Sequence, residues 1–510
     1  MRRFIYIFAL LITAMQINAQ STYNVTPLFS PELSGTARFV GMGGAMSALG
    51  GDLSVMSSNP AGIGIYRSND IAATASLGFL STTADFLGSS VESNKTNFSF
   101  DNIGIVFSGN IGGESLKFVN IGVNYTRRNN FRKEFAMNGW YADEDGANLY
   151  SQQYQMQDLF DRCQPDLANI TSDSYWNPRY AWLPLLAGDG GLLEDDGAIR
   201  YLPTDATFFS ENKGGIDQTD FNISCNINDR LYLGATIGYQ YIDYQRYSIY
   251  GEHDDLGTIY TLENWQKTEG SGVDFKLGAI VRPFEYSPFR LGLAFHLPTF
   301  YNLTDYSSAY MIGLEDENGR YKEMATYWPE AYGEDYIVDY EMTSPWRMNL
   351  SAGYTIGNFL ALNAEYELVD YSTANMNYVD GTEMPTMEEE FESNMKTQHI
   401  LRLGAEMRLD DNLSMRFGYN YISSAFKDDA WKYISPSSAT TATDYTNTKD
   451  TNLFTLGLGY RGKSFYFDAA YQCVMQDADF FTYTDPEISL PATKVSNFQN
   501  KLIFTVGARF

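Results

Sequence analysis

The sequence predicts an all-β fold: a transmembrane antiparallel β-barrel of about 14 strands, whose lumen is plugged by an N-terminal segment called the hatch below. Three observations predict it. The chain starts with a secretion signal, apolar and polar residues then alternate in runs of about ten, and short and long connections follow one another. The composition agrees, because 38 Tyr, 33 Phe and 43 Gly favour strands and turns over helices.

The first element, residues 1–19, is predicted to be a signal peptide. Arg2 and Arg3 precede an apolar stretch over 4–12, and cleavage is expected after Ala19. The apolar stretch is shorter than the roughly 20 residues that a membrane-spanning helix needs, and no later stretch is long and apolar enough. The mature chain is therefore expected to leave the cytoplasm.

Charge and chemistry exclude several classes of function. The formal net charge of −28 argues against a nucleic-acid partner. The acidic runs 194–196 and 388–390 are expected to be solvated loop surface, with a divalent-cation site as the alternative. No disulfide framework, metal site, cofactor site or catalytic constellation emerges from the three cysteines and three histidines, which are Cys163, Cys225, Cys473, His253, His296 and His399. An enzyme is not expected.

Residues 20–69 form the predicted hatch. The stretch from Thr36 to Leu49 mixes large apolar residues with Ala, Gly and Ser, which predicts a short, closely packing helix. The tetrad Asn59–Gly62 follows. An Asn-Pro step favours a turn and Pro lacks a backbone donor, so this tetrad predicts a rigid bend before the first strand.

Residues 70–510 form the predicted barrel. Leu401–Leu409 alternates apolar residues with Arg402, Gly404, Glu406 and Arg408, so one strand face is apolar and the other is polar. The same pattern gives candidate strands near 71–80, 99–110, 117–128, 219–228, 230–250, 271–283, 288–299, 346–357, 359–371, 397–409, 412–424, 451–461, 463–475 and 500–510.

The connections provide an independent test, because outer-membrane barrels have short periplasmic turns and long extracellular loops. Short connections are expected at 111–116, 228–229, 284–287, 357–358, 410–411 and 462. Long ones are expected at 81–98, 129–218, 251–270, 300–345, 372–396, 425–450 and 476–499. This parity places both chain ends in the periplasm.

The closing strand carries a further signal. Leu502, Phe504, Val506 and Phe510 share one face and the sequence stops at an aromatic residue. This pattern resembles the signal read by the barrel assembly machinery, which is therefore an expected partner during biogenesis.

The hatch, the bend and the strand pattern together resemble the FadL/TodX family of outer-membrane transport proteins. Further likenesses are Phe295–Pro298 at the end of one strand and Ser344–Arg347 at the start of the next. The resemblance covers the whole mature chain and departs from the family in the length of loop 129–218. It implies a monomeric channel for passive uptake of hydrophobic small molecules, such as long-chain fatty acids or aromatic compounds, with hatch gating and lateral release into the membrane.

Candidate site residues follow from this resemblance and from the apolar character of the hatch. The candidates for ligand contact are Phe39, Met42, Met46, Val55, Met56, Ile63, Ile65, Arg347 and Arg402. Equally, the apolar ones pack the hatch against the wall and the arginines pair with carboxylates. A role in the hatch bend and gating is assigned to Asn59, Pro60, Ala61 and Gly62. Outer-membrane lipid and detergent-like molecules are expected partners.

Two other functions remain open. A surface ligand-binding or adhesion barrel would use the long loops, above all 129–218, which is rich in Tyr, Trp and Asp. A receptor driven by an inner-membrane motor is disfavoured, because the pre-barrel segment is too short for a globular plug.

Overall fold

The computed structural model describes residues 21–29, 32–140, 150–313, 324–328, 336–484 and 490–510. The predicted signal peptide lies outside the described residues. Within them, none of the helices combines the length and apolarity needed to cross a bilayer.

Fourteen antiparallel strands form one closed sheet, because β14 pairs with β1 from Asp70–Arg509 to Asp85–Lys494. Each strand also pairs with its neighbour in sequence, and the short segment Met324–Trp328 adds to β7. The strands are β1 Asp70–Phe86, β2 Ser89–Asn110, β3 Leu116–Asn130 with Lys133–Trp140, β4 Asp205–Ile227, β5 Leu231–Asp254, β6 Gly257–Val281, β7 Arg290–His296 with Phe300–Gly313, β8 Tyr336–Thr343 with Arg347–Ile356, β9 Leu360–Val369 with Asn375–Tyr378, β10 Gln398–Arg408, β11 Leu413–Ile422, β12 Tyr445–Arg461, β13 Phe465–Phe481 and β14 Thr493–Arg509. The predicted barrel class and strand number are confirmed.

Side chains alternate between an apolar outside and a polar inside. Phe417 and Phe454 remain 47% exposed on the outer face. On the inner face, Arg416, Asp468 and Thr505 are at most 1% exposed. Apolar groups that stay exposed around a whole barrel indicate contact with lipid rather than water.

Several strands are longer than the sequence predicts. β1 and β2 meet at a tight turn through Leu87 and Gly88, so the stretch 81–98 is mostly strand rather than loop. β5 and β6 likewise continue to Asp254 and from Gly257, which replaces the loop expected at 251–270. These extensions carry polar residues on both faces and therefore lack the apolar alternation used to find strands.

A helical cap, residues 150–204, covers the end of the barrel that carries the long connections. Helices α1 Thr22–Phe29 and α2 Ala37–Gly41 precede β1 in the chain, and the cap contains α3 Gln152–Cys163, α4 Ser172–Tyr175 and α5 Trp182–Asp189. Helix α6, Pro385–Asn394, lies between β9 and β10. Trp182 is 1% exposed and belongs to an apolar cluster that includes Tyr260 and Phe480 from the strand ends. The carboxylate of Glu252 on β5 accepts hydrogen bonds from the start of α3, which fixes the cap to the wall.

Candidate functional site

The hatch is less helical than the sequence predicts. Helix α2 covers only Ala37–Gly41, and Thr36 caps it because its Oγ1 accepts a hydrogen bond from the amide of Phe39 at 3.1 Å. Gly43 and Gly44 then take φ values of 66° and 75°, which an α-helix does not allow. The predicted helix to Leu49 is therefore wrong beyond Gly41.

The bend predicted at Asn59 is present. The Asn59 Oδ1 accepts from the amide of Ala61 at 3.2 Å and starts a 3-10 helix over Pro60–Ile65. Its Nδ2 donates to the carbonyl of Ser47 at 2.9 Å, and to that of Ala279 on β6 at 3.4 Å. Asn59 thus holds the bend and ties it to the wall, whereas a gating role for the tetrad stays a prediction.

Glycines in the wall let the hatch backbone approach closely. A Cβ built on Gly418 of β11 would lie 2.2 Å from the amide nitrogen of Gly43. A Cβ on Gly234 of β5 would lie 2.4 Å from the carbonyl carbon of Pro60. Such distances exclude any side chain at these positions. Sequence reasoning missed these contacts, although glycines at inward positions of barrel strands are their signal.

Charged groups join the hatch to the wall as well. Arg38 of α2 forms two hydrogen bonds with the Glu406 carboxylate of β10, at 2.8 and 3.1 Å. The same carboxylate accepts from Arg416 at 2.7 Å, and Arg416 also pairs with Asp468 at 2.6 Å. A second carboxylate, Glu365, accepts from the amide of Ser47 at 2.5 Å. The hatch is therefore held to the wall both by ion pairs and by close backbone contacts.

Most apolar hatch residues form the interior of the hatch. They are at most 1% exposed and belong to one cluster: Met42, Met46, Val55, Met56 and Ile63. Ile65 packs partly buried beside Tyr232. Of the seven apolar residues proposed to contact ligand, the structure places only Phe39 on the cavity described next.

A cavity of about 560 Å³ lies above the hatch. Leu33, Phe39, Phe131 and Phe135 supply apolar lining, and many polar side chains complete it. A mixed lining of this size suits a small molecule with a large apolar part and a polar group.

Arg347 and Arg402 both line this cavity, as predicted for ligand contact, and both are already paired. Arg402 lies 2.6 Å from the Glu367 carboxylate, and Arg347 lies 3.5 Å from it. Arg347 also donates to the carbonyl of Phe29. The geometry therefore favours the alternative that these arginines bind wall and hatch, and their ligand contact stays a prediction.

The residues that follow the predicted signal peptide reach the far end of the lumen. Helix α1, Thr22–Phe29, lies against the long connections, where the backbone amide and hydroxyl of Thr22 donate to Glu390 at 2.9 and 3.1 Å. Burial raises the pKa of Glu390 to about 7.

The C-terminal residue lies at the opposite end of the barrel from α1, because the amide of Phe510 donates to the carbonyl of Asn69 near the short turns. The expectation that both ends lie at the short-turn end therefore does not hold for the first described residues.

The wall is interrupted beside the cavity, between β2 and β3. The ladder between these strands ends at Asn102–Thr126, so residues 89–101 of β2 pair only with β1. β3 bends at Phe131, whose ring packs at 4.9 Å against Tyr244 inside the barrel. All residues over 128–135 line the cavity, which therefore extends along the β3 edge of this gap.

Side chains of β2 bridge the gap. The Asn97 Nδ2 donates to the carbonyl of Arg132 at 2.8 Å, and Lys95 pairs with Glu134. Outside, Phe98 is 64% exposed and Phe100 45% exposed on β2. The gap thus faces the apolar outer surface of the barrel.

Comparison with known proteins agrees with this architecture. No family model and no curated protein sequence matches the chain. The solved structures it matches include a Pseudomonas aeruginosa FadL homologue, with 12% identity, a TM-score of 0.53 and coverage of 94% of this chain and 99% of that one. They also include the Pseudomonas putida toluene transporter TodX, with 10% identity, a TM-score of 0.51 and coverage of 94% and 99%. The chain therefore has the FadL/TodX channel fold that its hatch and strand pattern predict.

Proposed function

We propose that this protein is an outer-membrane channel for passive uptake of hydrophobic small molecules, long-chain fatty acids or aromatic compounds, which leave sideways through the gap between β2 and β3. The observation that carries the proposal is that residues 128–135, which line the cavity, also form the β3 edge of the gap. The similar solved structures support the transport class, because TodX is named a toluene transporter.

A lateral route fits the wall better than a straight one. The hatch closes the lumen below the cavity with a buried apolar core and with backbone atoms packed on Gly418 and Gly234. A straight path would require breaking the Arg38–Glu406 pair and several buried hydrogen bonds together. The gap needs only side-chain movement at Asn97 and Lys95, and the pairing of Lys95 with Glu134 is partly exposed and therefore weak.

Gating in this proposal is a local movement of the cavity-facing part of the hatch. Leu33 and Phe39 border the cavity, while Met42 and Met46 are fixed in the core. We therefore propose that the segment before α2 moves and that the bend at Asn59 stays in place. Deletion of residues 36–62 tests the hatch as a whole: uptake should lose its ligand selectivity, and unchanged selective uptake contradicts gating.

Reversible cross-linking tests the lateral route. The variant Lys95→Cys/Glu134→Cys places two thiols across the gap, in a background where Cys163, Cys225 and Cys473 are replaced by Ser. A short bifunctional thiol reagent with a cleavable link should reduce uptake of labelled fatty acid or toluene into liposomes to the protein-free rate. Reduction of the link should restore uptake.

The matched control is Phe107→Cys/Ile121→Cys, a directly paired position on the same two strands below the gap. Both side chains are 53% exposed on the outer face. Cross-linking there should leave uptake unchanged. Equal inhibition by both cross-links, or by neither, contradicts release through the gap.

A further inference from the structure

Four arginines lie together at the short-turn end of the barrel, away from the cavity. They are Arg67 at the end of the hatch, Arg230 in the turn between β4 and β5, and Arg282 and Arg290 on either side of the turn between β6 and β7. None of the four lines the cavity. The segments 228–230 and 282–290 carry two carboxylates, so positive charge is in excess here in a chain of net charge −28.

Three of these guanidinium groups surround one turn residue, Asp229. The Arg67 Nη2 lies 2.8 Å from the Asp229 Oδ1, and the Arg282 Nη1 donates to the Asp229 carbonyl at 3.3 Å. Arg230 is the next residue in the chain, and its Nη2 donates to the carbonyl of Pro283 at 3.1 Å. The hatch end and two neighbouring parts of the wall therefore present their guanidinium groups at the same place.

Ion pairs within the protein leave most of this charge uncompensated. Among the described residues, Arg67 alone of the four lies within 4.0 Å of a carboxylate oxygen, that of Asp229. The Nε atoms of Arg282 and Arg290 are buried and have no hydrogen-bond partner among those residues. Arg67 and Arg282 also repel Arg290 electrostatically. Cations that repel one another in this way are stabilised when an anion binds between them.

The arginines lie where the lipid-facing surface ends. Val281 and Leu291 are opposite each other on β6 and β7, and they remain 39% and 42% exposed on the outer face. The turn beyond them presents Phe284, which is 60% exposed, and Tyr286, which is 96% exposed. Aromatic and arginine side chains just beyond an apolar belt are typical of the lipid headgroup layer. Because the short turns of outer-membrane barrels face the periplasm, this layer belongs to the inner leaflet.

We propose that Arg67, Arg230 and Arg282, called the arginine cluster below, bind the phosphate of an anionic phospholipid in the inner leaflet. Guanidinium groups match phosphate oxygens with paired hydrogen bonds, and the excess of positive charge selects a lipid of net negative charge over a zwitterionic one. Because Arg67 belongs to the hatch and the other two to the wall, the bound phosphate joins hatch and wall at the short-turn end. This inference goes beyond the proposed transport function and does not depend on it.

Two lipids that differ in headgroup charge test the proposal: phosphatidylglycerol and phosphatidylcholine. Each is titrated into the purified full-length protein in detergent, and binding is measured by native mass spectrometry. The wild type should prefer phosphatidylglycerol, and this lipid should raise its thermal midpoint. A cation beside anionic lipid contributes about fivefold in affinity, so Arg67→Gln/Arg230→Gln/Arg282→Gln should weaken phosphatidylglycerol binding about a hundredfold.

Two single variants keep the test independent of folding. Arg230→Gln changes an exposed side chain, so it should weaken phosphatidylglycerol binding about fivefold and leave the thermal midpoint of the lipid-free protein unchanged. Asp229→Asn removes the carboxylate that competes for Arg67 and should strengthen phosphatidylglycerol binding. Asparagine tolerates the φ of 57° at this position, so the turn is retained.

The matched control is Arg408→Gln. Arg408 is also an exposed arginine at the short-turn end, but it follows a different strand and donates to the carbonyl of Asp411 at 3.1 Å. Its replacement should leave the binding of both lipids unchanged. Equal binding of the two lipids by the wild type overturns the inference, and so does phosphatidylglycerol binding that Arg230→Gln and the triple variant retain in full.

The carboxylates of the cell wall would also suit these cations, and a third arm separates them from lipid. A soluble muropeptide is titrated into the wild type and the same variants. Muropeptide binding that depends on the arginine cluster, without a preference for phosphatidylglycerol, assigns the cluster to the cell wall and overturns the inference. A preference for phosphatidylglycerol that depends on the cluster supports it. Uptake of labelled fatty acid tests the channel separately, since none of the three arginines lines the cavity.

Discussion

Replacing one wall glycine should loosen the hatch. In Gly418→Ala, the new Cβ would lie 2.2 Å from the amide nitrogen of Gly43, 2.5 Å from the carbonyl carbon of Met42 and 2.4 Å from the Thr455 Oγ1. Two of these neighbours are backbone atoms, so no side-chain rotation relieves the clash. Overpacking of this kind costs about 1–3 kcal/mol, and the absence of flexible neighbours places this variant at the upper end of that range.

The clash should push α2 away from the wall and break the hydrogen bond from the Thr455 Oγ1 to the carbonyl of Gly41, which measures 3.1 Å. We expect a lower thermal midpoint in detergent and a measurable ion leak in planar bilayers. Gly78→Ala is the matched control, because the nearest atom to its Cβ lies 3.8 Å away. Wild-type stability together with wild-type conductance in Gly418→Ala would refute the close seating of the hatch.

Three further perturbations follow from buried groups. Burial raises the pKa of Glu390 to about 7, so ionisation of its carboxyl opposes docking of α1. Amide exchange in α1, corrected for the intrinsic rate, should therefore accelerate between about pH 5 and pH 8. The variant Glu390→Gln should abolish this pH dependence. Arg416→Met leaves Asp468 buried and unpaired and should destabilise the barrel by about 3–5 kcal/mol, measured by urea unfolding, whereas an unchanged midpoint would contradict the ion pair. Trp182→Ala should destabilise the cap by about 3–5 kcal/mol. Limited proteolysis should then cut within 150–204 while the barrel resists heat, and a cap that stays resistant would show that Trp182 is not central to its packing.

The strands at membrane level were predictable because one physical constraint dominates them. A strand between lipid and a polar lumen must alternate, and a shift of one residue would expose every polar side chain to lipid. The strand at 397–409 was predicted on this basis, and the structure has Gln398–Arg408. Outside that level the constraint disappears. Residues 251–254 are polar on both faces and yet form a strand through their ladder with β4.

The site was less predictable, because a hatch core and a ligand cavity use the same residue types. Met42 and Met46 are as apolar as Phe39, and only the fold shows that Phe39 borders the cavity while the methionines do not. The sequence carries one signal of the gap, because the segment 127–133 contains four cations and interrupts the apolar and polar alternation of β3. The position of this segment relative to β2 depends on how the two strands pair, and the local sequence does not specify that pairing.

Photoaffinity labelling in proteoliposomes tests the lateral route most directly. An apolar ligand with a photoreactive group is supplied from outside, irradiated during uptake, and its sites of attachment are mapped by mass spectrometry. We predict labels on Leu33, Phe39 and Phe131 in the cavity and on Phe98 outside the gap. Labels within the hatch core and at the short turns, with none on Phe98, would show straight passage through the lumen and contradict release through the wall.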